Sequence, residues 1–296
     1  MIILFSLSYL KAGTWTAFNV PGAENTTHIS GIDGDNIFGS YGNQHGFIYD
    51  GTICNTIDVP GATMTEIKGI SGNNIVGVYK LYIDDPWPME KWHGFIYDGT
   101  TIITIDKPDA IDTYIYGIDG NIIVGSTKTH GFLYDMTTST WTTLDYPGAA
   151  RTNVYGIKGS NLFGSYDNHG FIYDMKTQTW TTIDAPGVTS TRIYGIDDNS
   201  IIGKFTISGH GTSFLYNGTN WITDLPGNDA LHSPGGISGN RIAGTYYTYY
   251  HGEDGLMAYF SHGYIYTIPE PTSAFLVIIG TGILRLHNRK RYNFLN

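Results

Sequence analysis

The sequence has little of what several common protein classes depend on. Its 296 residues include one cysteine, Cys54, so the chain cannot form an internal disulfide or a cysteine-based zinc site. Only 14% of the residues are charged, and no long helical pattern precedes residue 268, which argues against a fold of surface helices. The formal net charge is −10, which argues against binding nucleic acid by neutralising phosphates.

Familiar catalytic motifs are also missing. There is no Ser-x-Asp-x-Gly-x-Thr-Trp box, no nucleophile elbow and no phosphate-binding loop. The stretch "DGDN" at 33–36 suggests calcium ligands, but the equivalent turns read "SGNN", "DGN" and "KGSN", so a plain turn is the favoured interpretation. We therefore predict no catalytic residue, no metal and no cofactor.

The chain is instead rich in glycine, with 39 residues, and in tyrosine, with 23, a composition that suits many short strands joined by tight turns. A hydrophobic content of 41% is enough for a sizeable core. One hexapeptide, "HGFIYD", occurs at 45–50, 93–98 and 169–174, and "HGFLYD" occurs at 130–135. Looser copies follow at 210–217 and 262–267.

These copies belong to a longer repeat with strand-like segments typified by "WTTID", a Gly-Ile segment, "NLFGSY" and "HGFIYD". The Gly-Ile pairs begin at 31, 69, 117, 156, 195 and 236, a period near 40 residues. Four strands in about 40 residues is typical of a propeller blade. Phe and Tyr of the hexapeptide share one face of a strand and Ile takes the other, so both faces need a covering sheet. We therefore predict an all-β, six-bladed propeller over residues 14–267.

The order of the segments predicts how the ring closes. The first "WT" strand, 14–18, precedes every Gly-Ile segment, and the last repeat ends at "HGYIYT" with no such strand after it. We predict that the first strand completes the last blade and removes an open sheet edge.

The pattern resembles two known repeat types. "YDMTTSTWTTL" at 134–144 and "YDMKTQTWTTI" at 173–183 resemble the kelch repeat, in which Tyr-Asp and a following Trp flank a turn. The Gly-Ile, Val-Gly-Ser and His-Gly-Phe segments resemble the bacterial extracellular HAF repeat. The kelch Gly-Gly doublet is absent, and Gly replaces the Ala of HAF. The resemblance implies a fold more specifically than a function.

A histidine and an aspartate recur in the repeat. Because an active site needs groups in different environments, we favour a structural role: each His bonds a backbone carbonyl or turn of its own blade, and each Asp bonds the turn before Pro-Gly. A metal-binding ring of histidines and catalysis by one of them remain as alternatives. The repeated histidines are His45, His93, His130, His169, His210 and His262.

Ligand binding is best sought where the repeats differ. Insertions at 80–92 in the second blade and 246–261 in the sixth fall between equivalent strands, so both emerge on one face of the ring, beside the Pro-Gly loops. They combine aromatic and acidic side chains, which suits stacking on sugar faces and hydrogen bonding to hydroxyls. The candidates are Tyr82, Asp84, Asp85, Trp87, Trp92, Tyr247, Tyr249 and Tyr250.

Three functional interpretations follow. The favoured one is a non-enzymatic binding module for exopolysaccharide or another surface component. The second is a polysaccharide-cleaving enzyme, a glycosidase or lyase, that uses a pair of the inserted carboxylates. The third is a purely structural surface spacer, in which the aromatic residues only cover their own loops.

The C-terminus carries a separate signal. An apolar run of twelve apolar or small residues, 273–284, is short for a membrane span of about 20 residues, but a basic cluster follows it directly. This closely resembles the PEP-CTERM sorting signal, which implies a single hydrophobic helix over part of 268–296 and an exosortase-type processing partner. The motif residues are Pro269, Glu270, Pro271, Arg289, Lys290 and Arg291.

The resemblance implies export, transient retention in the inner membrane through the tail, and final residence at the cell surface or outside the cell. The segment 1–13 has an apolar core but no preceding basic residue, and we interpret it as the remnant of a signal peptide.

Overall fold

The computed structural model describes residues 13–23, 25–83, 89–223, 225, 232–251 and 257–269. All regular secondary structure in this part of the chain is β-strand, and none of it is helix. The strands form six four-stranded sheets, so the prediction of an all-β, six-bladed propeller is confirmed. Within the same residues there is no helix with the length and apolarity to cross a membrane.

Each of the first three blades is an antiparallel sheet whose strands follow in chain order from the innermost to the outermost. Their strands are β2 (His28–Asp33), β3 (Asn36–Tyr41), β4 (His45–Tyr49) and β5 (Cys54–Ile57); β6 (Met64–Ser71), β7 (Asn74–Ile83), β8 (Met89–Tyr97) and β9 (Ile102–Thr104); and β10 (Tyr114–Asp119), β11 (Ile122–Ser126), β12 (Gly131–Asp135) and β13 (Thr140–Leu144).

The fourth and fifth blades repeat this order, and the sixth takes its outermost strand from the start of the chain. Their strands are β14 (Thr152–Lys158), β15 (Asn161–Tyr166), β16 (His169–Asp174) and β17 (Thr179–Ile183); β18 (Ser190–Asp197), β19 (Ser200–Ile207), β20 (His210–Tyr216) and β21 (Trp221–Ile222); and β22 (His232–Ser238), β23 (Arg241–His251), β24 (Met257–Thr267) and β1 (Thr14–Phe18).

The innermost strands surround a central channel, since each of them contacts the innermost strand of the next blade in a closed cycle. At the Gly-Ile glycines these strands come so close that a side chain would not fit. A Cβ on Gly117 would lie 3.2 Å from the Cα of Gly156, and one on Gly236 would lie 3.2 Å from the Cα of Gly31. Four of these glycines thus lie against the inner strand of the next blade, while Gly31 and Gly156 lie against Phe38 and Phe163 of their own blades.

The core lies between the blades. The phenylalanine of the histidine-containing segment is fully buried in five blades, and Tyr264 replaces it in the sixth. Apolar clusters combine residues of neighbouring blades: Val124 of the third, for example, packs with Val154 and Phe171 of the fourth. Both faces of each sheet are thus covered, as the two-faced apolar strands predict. The five phenylalanines are Phe47, Phe95, Phe132, Phe171 and Phe214.

A buried threonine holds the loop that joins one blade to the next. The Thr65 hydroxyl accepts a hydrogen bond from the Val59 backbone N–H at 3.0 Å, and Thr152 accepts one from Tyr146 at 2.9 Å. Because strands alternate in direction, these loops and the loops between second and third strands lie on the same face of the ring. We call it the upper face. It also carries both insertions.

At the outer edge of the sixth blade, β1 pairs antiparallel with β24, from Thr14 opposite Thr267 to Phe18 opposite Gly263. Trp15 packs edge-on to Tyr246 with ring centroids 5.3 Å apart, and Phe18 reaches Tyr49 of the first blade at 5.0 Å. That this strand keeps the ring closed in solution stays a prediction. The C-terminal helix and nearly all of 1–13 fall outside the described residues, so they also remain predictions.

Deletion of residues 14–18 should expose the edge of β24 and remove the packing of Trp15 and Phe18. We expect dimers or aggregates by size-exclusion chromatography with light scattering, and a melting temperature lower by more than about 5 °C. A monomeric variant with an unchanged melting temperature would show that the first strand does not close the ring.

Candidate functional site

In four of the six blades, the Nδ1 atom of the repeated histidine forms a hydrogen bond with the aspartate of the same blade. The aspartate's second oxygen accepts the N–H of the glycine after the histidine, at 3.2 Å in each case. The partners differ from those predicted: the histidine meets a carboxylate where we expected a backbone carbonyl or turn, and the aspartate bonds the histidine segment where we expected the turn before Pro-Gly. That the pair has a structural role stays a prediction. The His Nδ1 to Asp Oδ2 distances are 2.7 Å for His45–Asp58, 2.6 Å for His93–Asp106, 2.7 Å for His130–Asp145 and 2.6 Å for His169–Asp184.

The register explains this partner. Gly46 pairs with Ile57 at the upper end of the sheet, so His45 and Asp58, the next residues outward, meet. The prediction that His210 occupies the same place is wrong, because "HGTSFLY" has two extra residues: Thr212 stands opposite Phe205, and His210 stands opposite Ile207. In the sixth blade His262 does keep the repeat position, and its Nε2 lies 3.0 Å from Thr248 Oγ1.

The predicted binding residues divide into two groups. Tyr82 and Trp92 lie on one side of the second blade, since Lys80 stands opposite Trp92 and Tyr82 follows it by two residues. Trp92 packs against Tyr114 of the third blade at 5.8 Å, so this group faces the third blade. Tyr82 is 56% exposed. Asp84, Asp85 and Trp87 lie outside the described residues.

The sixth-blade group faces the same way round the ring, towards the next blade, which is the first. Tyr247 stands opposite Ser261, whose carbonyl accepts the N–H of Thr27 in the loop leading into the first blade. Tyr249 shares that side and is 56% exposed. Burial, and then the Glu66 carboxylate, raise the pKa of Tyr247. Tyr250 lies in β23, and its side chain is outside the description, as are Glu270, Pro271, Arg289, Lys290 and Arg291.

Between the two groups, the innermost strands present side chains into the upper end of the channel, which we call the channel mouth. Each blade contributes two residues of its innermost strand: the one directly before the Gly-Ile pair and the one two positions before that. Because side chains alternate along a strand, these two lie on the same side. The lower ring is Ser30, Lys68, Tyr116, Tyr155, Tyr194 and Gly235, and the upper ring is His28, Glu66, Tyr114, Asn153, Arg192 and Ser233.

A charged cluster occupies the mouth at the first and second blades. Glu66 Oε1 accepts a hydrogen bond from Ser30 Oγ at 2.6 Å and lies 2.7 Å from Lys68 Nζ and 3.6 Å from His28 Nε2. Burial alone would raise the pKa of Glu66, but Lys68, His28 and the hydrogen bonds outweigh it and lower the pKa to about 2. Burial lowers the pKa of His28, and the Glu66 carboxylate opposes that effect.

Aromatic rings line the opposite side of the mouth in an unbroken series. Ring centroids are 5.8 Å apart for Trp92 and Tyr114, 6.3 Å for Tyr114 and Tyr116, and 5.5 Å for Tyr116 and Tyr155. Tyr155 continues the series to Tyr194 at 5.5 Å. The second-blade insertion thus connects to the channel through contacting rings, which the sequence alone did not indicate.

The mouth encloses a cavity of about 230 Å³, lined by His28, Ser30, Lys68, the three tyrosines of the lower ring and residues 233–235. Typical ligand pockets are roughly 300–1,000 Å³, so this volume suits one small unit of a larger ligand. Below it, beside the Gly-Ile glycines, the channel continues as a cavity of about 170 Å³.

Sequence reasoning missed this site because the mouth residues lie inside the repeat, next to its most constant feature. A signal was present: the residue before Gly-Ile is Ser, Lys, Tyr, Tyr, Tyr or Gly in successive blades. Where the residue type varies between blades while the neighbouring positions stay the same, packing within the blade does not determine the residue type. Among the described residues, no three His, Cys, Asp or Glu side chains come together to hold a metal ion.

No protein-family model and no curated protein matches this chain. Solved structures do: the extracellular domain of BT4673 from B. thetaiotaomicron is 11% identical with a TM-score of 0.46, and the match covers 84% of this chain. This chain spans only 34% of that one. The β-propeller domain of the Trilobed protease from Pyrococcus furiosus is 14% identical with a TM-score of 0.43, covering 81% of this chain and 82% of that one.

The charge on Glu66 should contribute to stability in a defined pH range. Because its folded pKa is about 2 against an ordinary 4.5, the contribution is complete above pH 4.5 and is lost as the pH falls towards 2. The shift corresponds to a free energy of unfolding on the order of 3 kcal/mol. Glu66→Gln should therefore destabilise the protein at pH 7, and the difference from wild type should shrink between pH 4.5 and 2 in denaturant unfolding.

Glu90→Gln is the matched control, because Glu90 also pairs with a lysine, Lys80, at 2.6 Å, but is largely exposed. It should cost less than about 1 kcal/mol. Equal effects of the two changes at pH 7, or a Glu66 effect independent of pH, would contradict the account.

Proposed function

We propose that the protein is a non-enzymatic binding module that engages a polysaccharide through the upper face, with one sugar unit held at the channel mouth. The observation that carries this proposal is the series of contacting rings from Trp92 through Tyr114, Tyr116 and Tyr155 to Tyr194. It leads from a surface insertion to an enclosed cavity, as an extended ligand would require.

The chemistry of the mouth suits a sugar. Aromatic rings cover the apolar faces of pyranose rings, and hydroxyl, carboxylate and ammonium groups bond their hydroxyls. Ser30 and Lys68 provide such groups on one side of the cavity, where Glu66 holds both of them by hydrogen bonds, opposite the tyrosines. The exposed Tyr82 and Tyr249 extend the surface away from the mouth towards neighbouring units of a chain.

The state of Glu66 argues against a glycosidase acid at the channel mouth. A glycosidase acid needs a raised pKa so that it carries a proton near neutral pH. The pKa of Glu66 is about 2 instead, and its carboxylate is bonded by Ser30 and Lys68. A group held this way orders the lysine and serine around it and does not protonate a leaving group.

We also propose the cellular setting that the sequence implies. The ring, closed by residues 14–18, would reach the cell surface or the medium after export, with a C-terminal PEP-CTERM-like tail read by an exosortase-type enzyme. The tail motif of Pro269, Glu270 and Pro271 with the basic cluster supports this part of the proposal. A matrix or surface location would place a polysaccharide-binding face next to its ligand.

Tyr155→Ala should weaken retention on the bound polysaccharide about two- to tenfold, because it removes the ring that joins Tyr116 to Tyr194 in the series. Tyr155→Phe should bind nearly as well, since the ring remains. Tyr173→Ala, on the third strand of the same blade and packed on Trp180, is the control and should not change binding. The measurement is affinity electrophoresis against a polysaccharide panel, with newly formed reducing ends assayed in parallel.

New reducing ends would overturn the proposal in favour of a polysaccharide-cleaving enzyme. Failure to bind any polysaccharide would favour a structural spacer. Binding that Tyr155→Ala leaves unchanged would place the ligand away from the mouth, on the insertions alone.

A further inference from the structure

The junction between the fifth and sixth blades departs from the repeat at several positions together. Lys204 stands where the other blades have Ser40, Val78, Ser126, Ser165 or Thr245. Ser213 replaces the glycine opposite it. In the sixth blade His232, Pro234 and Gly235 replace the usual threonine, branched residue and larger mouth residue. Changes grouped at one junction indicate a local requirement that the other five junctions do not share.

The exchange at Lys204 has a clear structural basis. In other blades the hydroxyl at this place accepts an N–H from the next blade: Thr245 from Ile29 at 2.8 Å, and Ser126 from Val154 at 3.0 Å. The equivalent residue of the sixth blade is Pro234, which has no N–H. A hydroxyl at position 204 would have no N–H to accept, so a long cationic side chain can occupy this position.

Lys204 is directed towards the upper face. Its Cε lies over Gly211, where an added Cβ would come within 2.4 Å, so the side chain runs up its own sheet past the repeat position. Directly opposite Lys204 on β18 is Arg192, a member of the upper ring of the mouth. Two cations thus stand side by side across a strand pair, an arrangement that destabilises a sheet unless something compensates it.

The surroundings offer space and no compensating carboxylate among the residues that the structure describes. Arg192 lies beside the Tyr194 hydroxyl, and neither cation forms an ion pair within the described ranges. Burial, and then Arg192, lower the pKa of Lys204, which agrees with a half-buried ammonium facing another cation. Ser233 and Gly235, which follow Arg192 and Tyr194 round the two rings of the mouth, line the cavity.

Across the channel the charges are already balanced, since Glu66 pairs with Lys68 at 2.7 Å. Of the mouth residues that the structure describes, Arg192 is therefore the cation with no carboxylate partner, and Lys204 stands beside it, in a protein whose formal net charge is −10. Cations concentrated against the overall charge favour an anionic group in the ligand.

We infer that the sugar unit held at the channel mouth is acidic, and that Arg192 and Lys204 bind its carboxylate at the junction of the fifth and sixth blades. This inference rests on the proposed function and adds the ligand class: a uronate-bearing polysaccharide. Guanidinium is suited to carboxylates because its fork of N–H groups bonds both oxygens, while the ammonium adds a point charge. The adjacent tyrosines cover the sugar ring to which that carboxylate is attached.

The test compares polygalacturonate with its methyl ester, which has the same backbone without the charge, and with neutral dextran. The full chain should bind polygalacturonate at least about tenfold more tightly than the ester, and rising NaCl should weaken this preference. Two variants, Lys204→Ser and Arg192→Asn, should each lower the affinity for polygalacturonate about tenfold. The first introduces the residue that three other blades have at this position, and the second introduces the residue of the fourth blade. Lys176→Ser, the same change at an exposed turn of the fourth blade, is the matched control.

Preference for polygalacturonate that Lys204→Ser and Arg192→Asn abolish, and Lys176→Ser does not, supports the inference. Equal binding of the polymer and its ester overturns it while leaving a polysaccharide-binding function in place. Equal losses from Lys176→Ser and Lys204→Ser overturn it as well, because they show a general charge effect. Binding of none of the three polymers overturns both the inference and the proposed function. Melting temperatures of all variants confirm that each is folded.

Discussion

The close approach of six inner strands at the Gly-Ile glycines is the constraint on which the rest of the structure depends. With Gly117 and Gly156 in backbone contact, and Gly31 and Gly236 likewise, adjacent sheets meet along their inner edges and bury Phe and Ile between them. The same contact narrows the channel at the glycine level. Side chains therefore enter the channel from the positions just above the glycines, and these positions form the mouth. The packing of the inner strands thus determines which positions can line the channel.

The repeated polar residues serve this architecture. The His–Asp pair, with the aspartate's bond to the glycine N–H, fastens the end of an outer strand to the start of its neighbour, and the buried threonine fastens the loop into the next blade. Because the loops are held from inside each blade, residues at the mouth need not stabilise them. Serine, lysine, glutamate, arginine and tyrosine can then occupy equivalent positions in different blades. The mouth residues can therefore differ from blade to blade while the blades themselves keep nearly the same structure.

The fold was predictable because periodicity and turn chemistry repeat six times, so errors at one copy are corrected by the others. The blade number, strand order and apolar faces all follow from the repeat. Side-chain partners were harder: His45 and Asp58 are thirteen positions apart, and only their register brings them together. The shift of His210 by two residues depends on Thr212 and Ser213 lengthening one hairpin. The mouth was missed because contact between Trp92, Tyr114 and Tyr155 arises from blade packing, which no spacing along the chain expresses.

We propose that an acidic polysaccharide binds at the channel mouth on the upper face. The most direct test is a crystal structure of the protein with a short oligogalacturonate. We expect a sugar ring against Tyr155 and Tyr194, with its carboxylate within about 3 Å of the Arg192 guanidinium or the Lys204 ammonium. An oligosaccharide bound on the lower face, on the outer strands or only on the two insertions, with the mouth empty, would contradict it.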